Sequence, residues 1–492
     1  MTTRSLTRPE ALIWGSLPTE IRLMILETIA FEKYTGWASF ASVCREWQDV
    51  LEKVNFYKMN LRVSCLDDFE HIISPQKRRL IHHICLDVEL PRYFSPCCLR
   101  RHSPSGNINR IVSDGIWKLF SLLSTWGPVD NLALEINARS PSDCEHWFKN
   151  LYFSSDDVEH DEDAMLDACK TGTAFHDPQH GWMHGQQVGA PPKSAMFRLF
   201  QTIWLASKET LPRVQAVTHF IIRRQLRRYI PPAGLGLLLS RLDRLEHISY
   251  EPWAPFEDAN KAFYDRALSF TMRNNLPDTL NTLIVFEDSH KFYDLFPMQP
   301  AHTPWFYLVY PSEELGAVFA SKSLNLQHLA ISFIVNAEEL FRHCQPTWSW
   351  SHLKSLALTS QLLQDDWEKR EEVEALLCRA SVLVQQMPEI HTFVLWNGGK
   401  GHACAFIYRV DGYGASITWR GTWHLELSPL VVESWQQAAS KLPYPELRLK
   451  QECIQGVINS HGDAIHHLKL PCQVVDPASL WQIRREGCGL VR

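Results

Sequence analysis

Apolar residues Leu17, Ile21, Ile25 and Ile29 recur every fourth position, with Met24 three after Ile21, which is the spacing of one helical stripe. Ser16 stands where a cap belongs, Pro18 lacks the amide hydrogen that a first turn leaves unpaired, and Glu20 suits the positive helix end. A helix is therefore predicted to begin near Leu17. Past the Thr35-Gly36 break, Phe40, Val43, Cys44, Trp47, Val50, Leu51 and Val54 follow the i, i+3, i+4, i+7 pattern, with Arg45, Glu46, Gln48 and Asp49 opposite. This predicts a second amphipathic helix. So short a helical segment buries too little area to be stable alone, and Leu26 and Trp47 add bulk beyond one stripe, so a partner helix would cover the excess.

Further on, the period changes. The template aliphatic-x-x-apolar-x-apolar, which alternates as a strand does, recurs as Ile81-Ile84-Leu86, Val129-Leu132-Leu134, Val217-Phe220-Ile222, Leu245-Ile248-Tyr250 and Leu280-Leu283-Val285. It continues as Leu326-Leu329-Ile331, Leu353-Leu356-Leu358, Ile390-Phe393-Leu395 and Ile465-Leu468-Leu470. Helix-like stretches precede several copies, among them Ile116-Leu119-Phe120-Leu123, Phe263-Ala267-Phe270-Met272, Leu315-Val318-Phe319 and Val373-Leu376-Leu377-Val382. One such unit cannot bury its own strand, so neighbours stack, strands pair in parallel and helices cover the outer side. The copies starting at 245, 280, 326, 353 and 390 are separated by 35, 46, 27 and 37 residues, mostly longer than the roughly 20 to 29 residues of regular leucine-rich repeats. The turn asparagine of such repeats is present at Asn137 but replaced by Glu89, Trp253, Asp288, Ile334 and Gly398 elsewhere. Two architectures remain open, an irregular leucine-rich-repeat-like array and an ordinary α/β domain; both predict parallel strands with flanking helices.

The N-terminal residues LPTEIRLMIL from Leu17, SVCREW from Ser42 and NFYKMNL from Asn55 resemble the F-box, whose pattern is Leu-Pro-x-Glu, spaced aliphatics, Val-Cys-Arg-x-x-Trp and an aromatic. The resemblance implies that a Skp-type adaptor of a cullin-RING ubiquitin ligase contacts Leu17, Pro18, Glu20, Ile21, Ile25, Leu26, Val43, Cys44 and Trp47. Here AFEKYTGW replaces the usual connection, and Phe56 stands where Trp is common. A helical hairpin folded onto the rest of the chain is the competing reading. The stretches GTWHLELSPLVVESWQQ, INSHGDAIHHLKLP and SLWQIRREG resemble the C-terminal region of filamentous-fungal F-box proteins.

These readings divide the chain into a flexible tail over 1–13, an F-box-like helical module over 14–62, an α/β array over 63–400 and a C-terminal region over 401–492. Residues 154–193, acidic first and rich in Gly, Pro, Gln and His later, predict a mobile surface insertion. The Asp411-Gly412-Tyr413-Gly414 turn between Ala403–Val410 and Ala415–Trp423 predicts a β-hairpin. A helix ending before Pro443 and a final helix-strand unit through Cys453, Val457, His466 and Leu470 follow.

Composition narrows the function classes. The 492 residues are 45% hydrophobic and 21% charged, far from the disordered class. Lys plus Arg is 49 against 55 Asp plus Glu, so nucleic acid would meet no overall positive field. No run approaches the roughly 18 apolar residues that span a bilayer, and Arg8, Pro9 and Glu10 interrupt any secretory signal. The odd count of 13 cysteines, with no export signal, predicts reduced thiols in the cytoplasm or nucleus.

No residue set carries convincing enzymatic chemistry. His176, His180 and His184 have helical metal-ligand spacing, but Pro178 and Gly181 break that helix, and Cys97, Cys98 and His102 lack a second zinc-finger pair. Ser460, His461 and Asp463 hold the letters of a triad without its geometry and read as the end of a helix closed by Gly462. Gly398, Gly399, Lys400 and Gly401 read as a turn rather than a phosphate loop. No catalytic residue, cofactor or metal is expected. Arg223, Arg224, Arg227 and Arg228 would share one basic side if helical, either as a solvated face or as an anion site for an acidic or phosphorylated client segment. Trp348 and Trp350 are candidate partner anchors.

The expected function is therefore substrate recognition within a ubiquitin ligase, with the adaptor and, through it, a cullin at the N-terminal helices and a client protein on the body. A non-catalytic F-box scaffold is the alternative, and an enzyme of unknown class comes third.

Overall fold

The computed structural model describes residues 14–32, 36–94, 105–153, 176–205, 210–255, 261–289 and 313–488. The expected tail over 1–13, residues 154–175 of the expected insertion, and Cys97, Cys98 and His102 lie outside them.

After a 3-10 turn at Trp14–Ser16, α1 (Thr19–Glu32) and α2 (Arg45–Tyr57), with a 3-10 turn at Trp37–Ser42, form the N-terminal module. The second expected helix is thus two elements, because Cys44 is extended where α2 starts. Helix α2 runs directly into β1 (Lys58–Arg62), which pairs in parallel with β2 (His83–Glu89). The module therefore ends at Tyr57, and residues 58–62 belong to the sheet. Short helices α3 (Leu66–Ile72) and α4 (Pro75–Arg78) fill the β1–β2 connection.

The body continues through α5 (Ser105–Ser124), β3 (Ala133–Arg139), a two-stranded ribbon of β4 (Trp182–Met183) and β5 (Gln186–Gln187), α6 (Lys193–Leu199) and β6 (His219–Ile222). Next come α7 (Pro232–Leu239), β7 (His247–Tyr250), α8 (Lys261–Asn275), β8 (Thr282–Phe286), α9 (Glu313–Lys322), β9 (His328–Ser332), α10 (Ala337–His343), β10 (Ser355–Thr359), α11 (Arg370–Val384) and β11 (Thr392–Gly399). The tail adds β12 (His402–Asp411), β13 (Gly414–Gly421), α12 (Pro429–Ala439), β14 (Leu447–Cys453), α13 (His461–Leu468) and α14 (Pro477–Cys488).

Apart from the β4–β5 ribbon, these strands form one 12-stranded sheet in chain order from β1 to β14. Pairing is parallel except at β11–β12 and β12–β13, the expected hairpin, and no break in the sheet marks residue 400. The first eight template copies are strands whose second and third positions, such as Ile84 and Leu86 or Leu283 and Val285, enter one core beneath the helices. That core also takes Leu119 of α5, Leu268 of α8, Phe319 of α9, Leu376 of α11 and Trp435 of α12. At about 25 cal/mol per Å² of apolar area, this is the main favourable contribution to folding.

The ninth copy is not a strand. Ile465 and Leu468 lie on α13, which is capped by Ser460, whose hydroxyl accepts from the Asp463 amide at 3.1 Å. Ser460 thus opens this helix and Gly462 sits in its first turn, reversing the expected helix end. The last strand, β14, precedes α13, so the expected helix-then-strand order is inverted as well.

The opposite face of the sheet is covered where an open surface is expected of an arc. Ile284, Phe286, Ala330, Val394, Trp396 and Ile407 form a second core with Ile465 and Leu468 of α13, Val474 and Val475, and Ile483 of α14. Strands β8 to β12 are consequently buried on both sides. The described part of the expected insertion is also built into the structure: Trp182 is fully buried and its Nε1 donates to Trp147 O at 3.1 Å. Among the described residues no helix is long and apolar enough to cross a membrane, and Cys44, Cys65, Cys85, Cys144, Cys344, Cys378, Cys404, Cys453 and Cys472 are free thiols.

Candidate functional site

Two features stand out from the fold: the face of the N-terminal module and the buried arginine cluster. In the module, Arg22 Nε and Trp14 Nε1 donate to the two oxygens of Glu46 at 2.8 and 3.0 Å, and Arg22 Nη1 donates to Leu17 O at 2.7 Å. Hydrogen bonds from Arg22 and Trp14 lower the Glu46 pKa. Trp47 sits between Trp14, with ring centroids 5.2 Å apart, and Phe40, at 6.0 Å. These contacts fix α1 against α2 from within the module. Lys77 of α4 then anchors α2 to the body, reaching Glu52 at 2.9 Å and lying over the Phe56 ring.

The expected adaptor residues fall into three groups. Pro18, Glu20, Ile21, Val43 and Cys44 are exposed; Leu17, Ile25 and Trp47 are half-buried. Leu26 is fully buried in the module and offers nothing to a partner, which corrects its assignment. Helix α1 is apolar on more than one side, so Leu26 and Ala30 can face inward while Ile21, Met24 and Phe31, 41%, 61% and 77% exposed, face out. Met24 and Phe31 extend the apolar face beyond the expected residues, and their i, i+3 and i+7 relation to Ile21 and Met24 was readable in the sequence.

The four arginines overturn the helical reading. Residues 223–230 form an irregular segment after β6, and Arg223, Arg224, Arg227 and Arg228 are all buried, at 3% exposure or less. Arg223 makes a bidentate pair with Glu135, both contacts 2.9 Å, and reaches Asp476 at 3.3 Å. Burial opposes the Glu135 charge, but Arg223 and His83 hold its pKa down at about 2. Arg224 pairs with Asp288 and, at 2.7 Å, with Glu486. Arg227 Nη2 reaches the other oxygen of Glu486 at 2.6 Å, and Arg228 grips Asp143 through two bonds of 2.8 Å. Each cation is thus answered by carboxylates from β3, the segment after β3, the end of β8, and α14. These side chains are structural ties within the body, and a basic outer face is absent from this segment.

Glu251, at the end of β7, accepts from the backbone N–H of Arg224 at 3.0 Å and of Asp476 at 2.7 Å. Burial and the nearby Asp476 push its pKa up to about 7. The triad letters separate likewise: His461 faces Asp288 at 3.1 Å, whereas Asp463 faces Arg484 at 3.4 Å. His180 Nδ1 lies 2.7 Å from Asp177 Oδ2 in a 3-10 turn, and among the described residues no group of three His, Cys, Asp or Glu is arranged to hold a metal ion. Trp350 is core, with Nε1 donating to Ser323 Oγ at 2.6 Å, and Trp348 is half-buried. Gly399 to Gly401 make the β11–β12 turn, with Gly401 at φ 84°.

Residues 275–476 match a family of unknown function, DUF6546. No curated protein matches the chain. The matched span runs from the end of α8 to the segment before α14, and so covers the part of the sheet that is buried on both faces.

Proposed function

We propose that this chain is a substrate-recognition subunit of a Skp-cullin-F-box ubiquitin ligase. The observation that carries the reading is the uncovered apolar face of the N-terminal module, where Pro18, Ile21, Met24 and Val43 are exposed beside the F-box-like residues of the sequence. Exposed apolar patches rimmed by polar residues mark contact surfaces. The chain-ordered parallel sheet also supports the leucine-rich-repeat-like reading of the body. In this role the chain performs no bond chemistry. It holds a client near activated ubiquitin, and tethering raises the local concentration of client lysines. The sheet face over β8 to β12 is occupied by α13 and α14, so in this reading the client would be held elsewhere on the body.

The test is co-purification of the full chain with a Skp-type adaptor and cullin. Ile21→Asp with Val43→Asp should abolish capture while changing the unfolding free energy only by the small amount of exposed substitutions, about 0.5 kcal/mol each. Undiminished capture by the double variant would refute the docking face. Capture without ubiquitin transfer to any co-purifying protein would favour the scaffold.

A further inference from the structure

A cavity of about 340 Å³ opens at the carboxyl ends of β6 and β7, between the arginine segment, the loop after β7 and the first turns of α8. An apolar cavity of about 150 Å³ stays dry and takes up a single benzene ring, so this one has room for about two. Its walls are mainly aromatic and apolar, with Phe200, Tyr229, Trp253 and Tyr264 among them. They are fixed by contacts of their own: Trp253 Nε1 donates to Arg224 O at 2.6 Å, its ring meets Phe200 edge-on at 5.3 Å, and the Tyr229 and Tyr264 rings lie 4.5 Å apart. Trp204 and Phe263 also line the cavity, yet they are 59% and 76% exposed, two large aromatic side chains left in water beside it.

The charged residues of this wall are engaged inside the body rather than in the cavity. The Arg227 side chain is fully buried, with Nη2 donating to Glu486 at 2.6 Å, and Arg228 holds Asp143 through two bonds of 2.8 Å. Glu251 is 1% exposed and accepts from the N–H groups of Arg224 and Asp476 and from the Ser479 hydroxyl. The hydroxyls of Tyr229 and Tyr264 are buried as well. Arginine and glutamate stand in the same wall, so neither sign of charge is favoured there. An ion entering the cavity would give up its hydration and meet no opposite charge, whereas an uncharged apolar molecule loses little on leaving water and gains by covering aromatic surface.

We infer that this cavity binds an uncharged, flat and largely apolar small molecule of about two fused rings, held against the aromatic walls with Trp204 and Phe263 beside its open side. The inference concerns the body alone and stands whether or not the N-terminal module docks an adaptor.

2-Acetylnaphthalene is a suitable probe, with naphthalene-2-carboxylate and 2-naphthylmethylammonium as anionic and cationic counterparts of similar size, each titrated calorimetrically into the full chain. The ketone should bind with a Kd below about 1 mM. Each ion should bind at least about tenfold more weakly, because burying an unmet charge costs more than the roughly 1.4 kcal/mol that a factor of ten represents. Ala267→Trp, which adds bulk at the half-buried α8 side of the lining and leaves Trp204 and Phe263 in place, should abolish ketone binding. Thr202→Trp, half-buried where residue 202 pairs with Tyr229, should do the same and serves where the first variant fails to fold. No ketone binding by the unaltered chain, an ion bound as tightly as the ketone, or undiminished binding by either folded filling variant would overturn the inference. The last of these would assign the binding to the exposed aromatics alone.

Discussion

Replacing Glu486 by Gln removes one negative charge from the place where α14 meets the arginine segment. Its two oxygens lie 2.7 and 2.6 Å from Arg224 and Arg227, and Oε1 also accepts from the Tyr152 N–H at 3.0 Å. At an effective dielectric of about 20, each such pair of unit charges is worth about 4 kcal/mol, against several kcal/mol of desolvation per ion. Arg224 keeps Asp288 after the substitution, whereas Arg227 keeps no carboxylate. Breaking a buried pair from one side costs about 3–5 kcal/mol, and Glu486→Gln should lower stability by that amount. Urea unfolding followed by tryptophan fluorescence reads it, because Trp253 stacks on both guanidiniums. In an Arg227→Met chain the same substitution should cost less by about 1–3 kcal/mol, the coupling of residues in contact. A loss below about 1 kcal/mol, or strict additivity of the two changes, would refute the view that this carboxylate is what neutralises Arg227.

Three further outcomes are expected. Burial, with smaller contributions from His219 and His328, lowers the His247 pKa to about 4, so the native state holds this ring neutral while the unfolded chain takes up its proton first. Stability should therefore be level above pH 6.5 and fall as the pH drops towards 4, by up to about 3 kcal/mol; the slope of urea midpoint against pH should flatten in His247→Asn, and parallel slopes would contradict the assignment. A Cβ at Gly398 would collide with the Ala464 methyl across β11 and α13, so Gly398→Ala should cost about 1–3 kcal/mol, with Ala464→Gly restoring the midpoint in the same chain. Trp396→Ala, which empties a fully buried site beneath α13 and α14, should cost about 3–5 kcal/mol and speed proteolytic release of the segment after β14; an unchanged digestion rate would show that those helices do not depend on the second core.

The strands were legible because their template encodes a face: Leu329 and Ile331, or Leu356 and Leu358, enter the core that the alternation predicts. The Ile465 copy misleads because Ile465 and Leu468 are also three residues apart, a spacing that helix and template share. Burial of β8 and β11 on both sides had a signal too. The LIVF of β8 and the FVLW of β11 are continuous apolar runs, the mark of strands covered on two faces rather than one. The arginine cluster had none, since residues 223 to 228 show only their own charges, and the carboxylates that draw them inward stand 64 to 262 positions away along the chain. The cavity beside them arises from the same long-range closure. For the N-terminal module, periodicity shows that α1 has apolar residues on more than one side, but not which side meets α2, and Leu26 was misassigned for that reason.

The clasp between α14 and the arginine segment also imposes an order on biosynthesis. Arg227 leaves the ribosome 259 residues ahead of Glu486, an interval of roughly 10–50 s at typical rates of translation. Throughout that time the nascent middle of the protein carries a guanidinium whose counter-ion has not yet been made. A message truncated before codon 486 would yield a chain that cannot neutralise this centre, and such a product should be held by chaperones or degraded.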